Sequence, residues 1–416
     1  MKTLFIKNFK IIFLFFILLL SFYKSPHIFL NGRFMAEEGS FYFKNTFLYG
    51  FFAGFIQILW HTGYFNFWAN LSSIISNLFV IEYSPLASVY CAYSVKLYLF
   101  IYILYTDSEF LNTNYKKLIT CVIVLVSPPM VAEIWLNTLQ SLVYFTILSI
   151  LIFFQKYDQK NLLTRSTPIV LLITSLSSII SCLFTPFYFI KFLKNKSKNN
   201  LYNFVSILIG SLFQTFIFIY TKINNLQGVG EHLRYDVSAD KLINYIYNVL
   251  LKCFFGKELT QKIFYTFFDE SNLITLGIVI SILLFLCLIS LFKIMAKDRV
   301  LFYLVIFFII QSAVAIYAAK VDQVQGRYAA IPGILLIFSV FRLIDNQNKF
   351  LRNLSSLLIL FSILTGFYEY KHNNVYPQLL MCFNCPNWKN EVNKWKMDED
   401  YQLKIWDYPR KSFTLK

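Results

Sequence analysis

Long apolar segments are the feature that most restricts the structures this chain can form. A helix that crosses a bilayer needs about 20 mostly apolar residues, and ten segments of the chain come close to that length and character. Only 14% of the 416 residues are charged, whereas a soluble domain has about a quarter, so water cannot solvate the surface of this chain. We therefore predict an all-α, polytopic helical membrane protein, which excludes a cytosolic enzyme, a disordered chain and a disulfide-stapled secreted domain. The candidate spans are 10–30, 86–106, 118–135, 139–154, 167–190, 201–221, 271–292, 300–319, 328–343 and 353–368.

Residues 31–85 are apolar and aromatic, but scattered polar side chains interrupt them. We predict a long outer loop with helices that lie along the membrane interface, where residues such as Trp60, Tyr64 and Trp68 are typical. The alternative is a further pair of spans.

The segment 167–190 is predicted to form a hairpin. Proline disrupts a helix, so we expect a break at Thr185-Pro186 with two short arms and a turn at membrane depth or at the outer face. This break keeps the lysines at 191–198 on the cytoplasmic side. With the hairpin included, the prediction is about 11 spans.

The formal charge of +16 fits this topology better than a nucleic-acid surface. Segments predicted to face the cytoplasm hold 18 basic and five acidic residues, the outer segments hold 18 and 16, and Lys24, Lys96 and Glu133 lie inside predicted spans. Because cytoplasmic loops carry the excess of Lys and Arg, we predict the N-terminus inside and the C-terminus outside, and no nucleic-acid partner. The organisation is then a transmembrane domain over 1–368, with outer loops at 31–85 and 221–270, and an outer C-terminal tail over 369–416.

The strongest candidate for chemistry is an acidic pair, Glu37-Glu38, which follows the first span and lies close to Arg33. Adjacent carboxylates repel each other, so we expect one to be partly protonated or paired with Arg33. Neighbouring residues do not share a helix face, which predicts different roles for the two. A carboxylate at this place can take the proton of a sugar hydroxyl. The alternative is that both acids simply occupy the first turn of the next helix.

A second candidate is the short outer loop that ends in Gly326-Arg327-Tyr328. A guanidinium at the start of a helix can bind a phosphate through two N–H groups. Gly326 allows close approach of the backbone, and Lys320 adds a second positive charge. The alternative is an interface anchor, with the arginine snorkelling towards water.

Other polar residues give weaker signals. His61 in the first outer loop, and His232 and Arg234 in the second, are candidate contacts for an acceptor, although no second histidine stands at metal-ligand spacing. Cys382 and Cys385 cannot complete a four-ligand zinc site, but an oxidising compartment would permit a local disulfide. No metal site is predicted, and participation of a divalent ion is left open.

Lys96 and Glu133 lie within or near predicted spans, where ionisable side chains are functional candidates by default. A transporter would be expected to show more of them, together with an inverted repeat of interrupted spans; we find no such repeat. The tryptophans of the tail, among them Trp388 and Trp406, indicate either a small packed subdomain or a sugar-stacking surface.

Three features together resemble the polytopic GT-C-type glycosyltransferases, which use polyprenyl-phosphate sugars: the pair Glu37-Glu38, the broken hairpin near Pro186, and Arg327-Tyr328 at the mouth of a late span. The layout of the whole chain resembles, more narrowly, the serotype-converting O-antigen glucosyltransferases, although the predicted span count is higher than in that family. The resemblance implies transfer of a hexose, glucose first of all, from undecaprenyl phosphate to a lipid-linked O-antigen or related surface glycan. It places this reaction on the periplasmic face of the bacterial inner membrane.

The resemblance also implies residue roles and partners. Glu37 or Glu38 would be the general base. Arg327, helped by Tyr328, Lys320 or Arg33, would bind the donor phosphate and neutralise it as it leaves. The undecaprenyl-phosphate sugar is a substrate here, and no cofactor is expected with certainty. Expected partners are membrane lipid, the polyprenyl-linked donor, the glycan acceptor, a donor synthase and a flippase.

Two other functions remain open. An O-antigen polymerase would rely on arginines in large outer loops, and the main loop contains only Arg234. A non-enzymatic flippase or transporter of a lipid-linked glycan would need cationic residues around a central cavity, and the inner spans offer little beyond Lys96.

Overall fold

The computed structural model describes residues 2–226, 238–267, 294–319, 324, 326–371, 377–380, 385–406 and 411–416. About 75% of the structure is helical. Among the described residues the only sheet is an antiparallel pair of two-residue strands, Leu403–Lys404 and Ser412–Phe413. The predicted all-α class is therefore confirmed.

The α-helices vary widely in length, because prolines, glycines and side-chain caps divide the apolar segments. Short π-helical segments cover Glu38–Phe43 and Ile246–Leu251, and short 3₁₀ turns cover Trp60–Thr62, Ile81–Tyr83, Ala132–Ile134 and Pro377–Leu379. The described α-helices are Lys2–Lys24, Pro26–Asn31, Lys44–Ile56, Phe67–Asn77, Ser84–Tyr105, Asn114–Val126, Ser141–Phe153, Leu162–Arg165, Thr167–Ser177, Ile179–Cys182, Thr185–Lys194, Lys198–Ile223, Ala239–Tyr245, Lys252–Phe267, Arg299–Ala318, Arg327–Leu343, Lys349–Tyr368 and Trp388–Met397.

Four helices in the described part of the chain are long and apolar enough to cross a membrane: Ile81–Tyr105, Lys198–Ile223, Arg299–Ala318 and Lys349–Tyr368. A bent helix pair in 167–194 makes five if it counts as one span. These helices support a helical membrane protein. The count of about 11 spans and the orientation of the termini stay predictions, and the candidate span 271–292 lies outside the described residues.

The bend within 167–190 is present, but it lies upstream of the predicted break at Thr185-Pro186. Helices Thr167–Ser177 and Ile179–Lys194 meet at 119°. Pro186 lies instead in the first turn of the helix Thr185–Lys194, where a missing N–H costs nothing because that group has no partner within the helix. The prediction of a break was right, and its assignment to Pro186 was wrong.

The predicted span 118–135 is also shorter in the structure. Its helix, Asn114–Val126, has 13 residues and ends before Ser127-Pro128-Pro129. A residue before proline avoids helical backbone angles, so the chain leaves the helix there. It then forms an irregular segment, 127–140, whose last part carries the residues of the site described below.

Helices in the predicted outer loop 31–85 are short. Lys44–Ile56 has 13 residues and Phe67–Asn77 has 11, well below the about 20 that a span requires. Asn66 caps the second of these helices by accepting a hydrogen bond from Ala69 N at 3.1 Å. The lengths fit helices along an interface better than a further pair of spans.

The chain divides into two compact units. The first comprises residues 1–112, 132–228 and 376–416, and the second comprises 113–131 and 229–375. Within the first unit, the C-terminal residues build a hydrophobic core together with the residues on either side of the acidic pair. This core contains Phe34, Phe43, Trp388, Val392, Leu403, Ile405, Phe413 and Leu415.

Candidate functional site

A tight turn at the start of the first outer segment displays the acidic pair. Gly32 has φ +72°, and a Cβ there would lie 2.3 Å from Leu86 N, so only glycine lets the chain pass so close to that backbone. Ala36 then also has positive φ, +50°. The backbone N–H of Glu38 donates to Met35 O at 3.1 Å, which closes the turn with Glu37 at its tip.

Glu38 points inward and has a full set of partners. Its side chain is buried, and Oε2 accepts from Met35 N at 2.9 Å. Oε1 accepts from Thr138 N at 2.6 Å and from the Thr138 hydroxyl at 2.5 Å. Burial raises the pKa of the Glu38 carboxyl, although the bonds from Thr138 and Met35 and the charge of Arg33 oppose the shift. Glu38 thus fastens the segment 132–138 to the turn.

Glu37 has a different environment. Its side chain is 32% exposed, and Oε1 lies 3.2 Å from Lys411 Nζ of the C-terminal segment. Its charge also reaches the neighbouring phenol Tyr42, whose pKa is raised mainly by burial and further by Tyr64 and Glu37. The two adjacent carboxylates therefore differ in environment: one is sequestered, and one is accessible.

Arg33 is buried and binds backbone carbonyl groups. Nη2 donates to Trp135 O at 2.5 Å, and Nη1 donates to Leu379 O. Its guanidinium lies 4.9 Å from the ring centroid of Trp406, a cation–π distance. Burial lowers the pKa of Arg33 to about 10, against the opposing effect of Glu38. Through these contacts Arg33 connects the turn to three distant parts of the first unit.

Two lysines that belong to predicted spans meet at Trp135. Lys24 Nζ lies 4.6 Å, and Lys96 Nζ 3.6 Å, from the Trp135 ring centroid. Both lysines and the indole are almost fully buried. The indole N–H donates to Ser25 Oγ at 2.7 Å, which fixes the ring. The sequence marked Lys96 as an interior charge, but it assigned no role to Lys24 or Trp135.

Backbone strain is concentrated on the same segments. Ala36 and Leu136 are two of the three non-glycine residues with positive φ in the described part of the chain. Such conformations cost about 1–3 kcal/mol each, and they persist where surrounding contacts enforce them, often at functional sites. Here Ala36 lies in the turn of the acidic pair, and Leu136 lies between Trp135 and Thr138.

The C-terminal segment covers this turn. Trp406 N donates to Phe34 O at 3.2 Å, and its ring stacks on His27 at 5.8 Å between centroids. Trp388 packs edge-on against Phe34 and donates its indole N–H to Ile81 O at 2.7 Å. Trp388 is therefore a core residue, whereas Trp406 lies beside Arg33 at the candidate site.

The second predicted group belongs to the second unit. Arg327 begins the helix Arg327–Leu343 directly after Gly326, which has φ +58°. Its guanidinium lies 5.3 Å from the ring of Tyr328. Tyr328 packs against a core cluster that includes Tyr245. Lys320, predicted to act with Arg327, lies outside the described residues.

Several weaker candidates cannot be placed. His232, Arg234 and Cys382 lie outside the described residues. His61 belongs to the 3₁₀ turn Trp60–Thr62, and its side chain also lies outside the described part of the structure. Cys385 is disulfide-bonded.

Side chains that hold metals are not clustered in the described ranges: no group of three or more His, Cys, Asp or Glu residues there could hold a metal ion. Glu133, the other interior charge singled out from the sequence, is half-buried in the 3₁₀ turn Ala132–Ile134.

Comparison of the chain with protein-family models, with curated proteins and with solved structures finds no match.

Proposed function

We propose that this protein is a membrane glycosyltransferase. It would move a hexose, glucose first of all, from undecaprenyl phosphate to a lipid-linked O-antigen or a related surface glycan. We place the reaction at the periplasmic face of a bacterial inner membrane. The observation that carries the proposal is the turn Met35–Glu38, which exposes one carboxylate and uses the other to fix its shape.

The chemistry is a single displacement at the anomeric carbon. A hydroxyl oxygen of the acceptor forms a bond to C1 of the hexose while the bond from C1 to the phosphate oxygen breaks. The phosphate leaves with the electron pair, and the hydroxyl proton goes to a carboxylate. One displacement inverts the configuration at C1. A lipid-linked donor explains why such a reaction takes place in a membrane protein, since the lipid chain stays in the bilayer.

Glu37 is the better of the two carboxylates for the role of general base. A base must come within hydrogen-bond distance of the hydroxyl proton, and Glu37 is accessible whereas the oxygens of Glu38 already accept three hydrogen bonds. Glu38 is then a positioning residue. It orients Glu37 by holding the turn against Thr138.

The leaving phosphate needs positive charge near it. Arg327, with Tyr328 and Lys320, stays our proposed phosphate-binding group in the second unit. Arg33 supports the turn in our proposal, since its N–H groups already bind the carbonyls of Trp135 and Leu379. A donor synthase and a flippase would supply the donor on the outer face.

The test is transfer from a labelled polyprenyl-phosphate hexose in membranes that contain Glu37→Gln. Removal of a general base lowers the rate by about 10²–10⁴-fold, and we expect a loss in this range with normal insertion and thermal stability. The matched control is Glu109→Gln, an acid in a predicted cytoplasmic loop, which should transfer at the wild-type rate. Normal transfer by Glu37→Gln would refute the assignment of the base.

A non-enzymatic transporter of lipid-linked glycan is the second candidate, and one observation favours it. Lys24 and Lys96 both contact the ring of Trp135 in the interior, so the first unit buries one lysine more than the sequence indicated. Comparison of the surface glycan with and without the gene separates the candidates. An added side-branch hexose supports transfer, shorter chains support polymerisation, and loss of the whole glycan supports transport.

A further inference from the structure

We propose that residues 239–267 form a re-entrant hairpin, which enters the membrane beside the long helices of the second unit, turns at Gly256 and leaves on the same side, and that this hairpin positions the group at Arg327. The sequence predicts an outer loop over 221–270, and the hairpin places most of that loop inside the bilayer. The positioning of Arg327 rests on the proposed function, whereas the hairpin itself does not.

Three long helices of the second unit share one end. Arg299–Ala318 and Lys349–Tyr368 are long and apolar enough to cross a membrane, and Arg327–Leu343 lies between them in the chain and packs against both. The connections 319–326 and 344–348 are short, so consecutive helices run in opposite directions. The end of the first helix, the start of the second and the end of the third therefore lie at the same end of the unit.

The first arm of the hairpin leads from this shared end into the unit. Tyr245 belongs to the same core cluster as Ala319, which directly follows the first helix. Cys253 lies deeper: a Cβ on Gly333 would be 3.8 Å from the Cβ of Cys253, and Ser362 Oγ donates to Cys253 O at 2.7 Å. Gly333 and Ser362 each lie six residues from the shared end of their helices, a depth of about 9 Å at the rise of an α-helix.

The second arm leads back to the shared end. Gly256 interrupts the helix with φ +69°, and a Cβ there would lie 2.7 Å from Glu369 Oε1. Beyond this turn, Glu369 accepts the backbone N–H of Lys257, and the hydroxyl of Tyr368 donates to Glu258 Oε2 at 3.1 Å. Tyr368 is the last residue of its helix and Glu369 follows it. Both arms of the hairpin therefore reach the same end of the unit.

The backbone groups at the turn have partners within the protein. Thr365 Oγ1 donates to Phe254 O at 3.0 Å, next to the bond from Ser362 to Cys253 O. Ser362, Thr365 and Glu369 follow one another along one face of their helix. A turn in water would not need these bonds, because water solvates free backbone groups, whereas irregular backbone at membrane depth is tolerated only where protein or a water-filled cavity encloses it. The three side chains supply what a bilayer cannot.

The turn also contains a buried base together with its acid. Lys252 is 6% exposed and Glu369 is 3% exposed, and the two attract each other electrostatically. Ionisable side chains at membrane depth face the protein interior and pair with one another. The environment of Lys252 and Glu369 is the one that a hairpin inside the bilayer requires.

The first arm of the hairpin also supports the group at Arg327. Val249 belongs to the core cluster against which Tyr328 packs. The hydroxyl of Tyr245 shares a hydrogen bond with Ser312 on the preceding long helix. The arm is thus fixed on one side to that helix and on the other side to the first turn of the helix that begins at Arg327. Under the proposed function this first turn binds the donor phosphate, which makes Tyr245 a positioning residue.

The depth of the turn is measured on the purified full-length protein in lipid nanodiscs. A fluorescent amino acid replaces Phe255, which is half-buried beside Gly256, and is exposed separately to iodide in water and to lipids that carry a nitroxide on the acyl chain. We expect the lipid nitroxide to quench this probe and quenching by iodide to be lost. A probe at Phe361, whose ring lies 6.2 Å from that of Phe255, should respond in the same way. A probe at Met397, 88% exposed in the C-terminal tail, should be quenched by iodide.

Quenching of the probe at Phe255 by iodide and not by the lipid nitroxide overturns the hairpin. If the protein with this probe does not fold, a probe at Leu251 repeats the test on the first arm, where the side chain is also half-buried. The same two outcomes then decide for or against the hairpin.

The positioning of Arg327 is measured by the kinetics of transfer with Tyr245→Phe, which removes the hydroxyl and keeps the ring. We expect KM for the polyprenyl-phosphate hexose to rise several-fold with kcat unchanged, because a loss of uniform binding raises KM alone. Tyr303→Phe is the control, since Tyr303 is buried on the same helix as Ser312, and it should keep the KM of the wild type. An unchanged KM in Tyr245→Phe overturns the positioning role. Absence of transfer by the wild type refutes the proposed function and this role with it, whereas quenching at Phe255 does not depend on transfer.

Discussion

Of the three buried glutamates in the described residues, two have similar settings: Glu38 in the first unit and Glu369 in the second. Glu38 accepts a backbone N–H in the turn around Ala36, and Glu369 accepts the N–H of Lys257, next to Gly256 with φ +69°. Burial raises the pKa of both carboxyls. Each one therefore fixes a turn that has a residue of positive φ, at the cost of desolvation.

Their surroundings differ in charge balance. Glu369 is coupled to Lys252, a buried lysine whose pKa burial lowers and Glu369 raises in part, so acid and base compensate each other there. Glu38 interacts electrostatically with Arg33, and it directly follows Glu37, whose side chain is 32% exposed. The first turn also carries a second, accessible acid, and this difference is what makes it the better candidate for chemistry.

The largest expected difference between the two turns appears when each glutamate is replaced by glutamine. We expect both Glu38→Gln and Glu369→Gln to lose about 1–3 kcal/mol of stability, because a donor amide replaces an acceptor at buried N–H groups. Only Glu38→Gln should lose transfer, on the order of 100-fold, because a displacement of about 1 Å at a reacting group costs that much. Thermal melting in detergent and transfer from labelled donor measure the two effects. An equal loss of transfer in Glu369→Gln would show that the two turns are equivalent.

Trp406 offers the next largest effect, because its ring lies beside Arg33 and on His27 at the first turn. Trp406→Ala should cost about 3 kcal/mol and lower transfer by roughly 10-fold, since the turn loses its cover while Glu37 stays in place. Trp395→Ala, at the edge of the same C-terminal core, is the control that should leave transfer unchanged. If both variants transfer equally well, the C-terminal segment has no part in the site.

The pH dependence of stability sharpens the comparison further. A carboxyl whose pKa is raised on folding binds a proton more readily in the native state, so its contribution to stability is greatest at low pH and falls as pH rises through the carboxyl range. The melting temperature of the wild type, relative to Glu38→Gln, should therefore fall as the pH rises above about 4. Glu369→Gln should give the same sign. A rise instead would mean that the bonds from Thr138 and the charge of Arg33 outweigh burial.

The parts of the fold and of the site that depend on neighbouring residues could be predicted from the local sequence. Apolar length located the helices Ser84–Tyr105, Lys198–Ile223 and Lys349–Tyr368, because the requirement for about 20 apolar residues is a local one. Arg33, Glu37 and Glu38 fall in one turn because they are close in the chain. The assignment of the bend to Pro186 failed for a local reason, since proline is harmless in a first helical turn.

Partners far apart in the chain could not be predicted. Thr138 stands 100 positions after Glu38, and Trp135 stands 102 positions after Arg33. No spacing rule links such residues, and Trp135 looked like the end of a span. One signal was available, because Lys24 and Lys96 are both lysines in apolar segments. Ionisable side chains in such segments usually face the protein interior, so the two could have been expected to lie close together.

The smallest expected effect concerns Lys411, which joins the C-terminal segment to Glu37. Both side chains are about one-third exposed, and a pair in such a position contributes at most about 1 kcal/mol to stability. Lys411→Met should therefore melt almost as the wild type does. Transfer should fall only a few-fold, because the lysine orients the carboxylate of Glu37 without receiving the proton. Lys416→Met removes a comparable pair with Asp400 and should change neither quantity. A loss as large as that of Glu37→Gln would instead place Lys411 against the substrate, and the accessible acid would then act only together with its lysine.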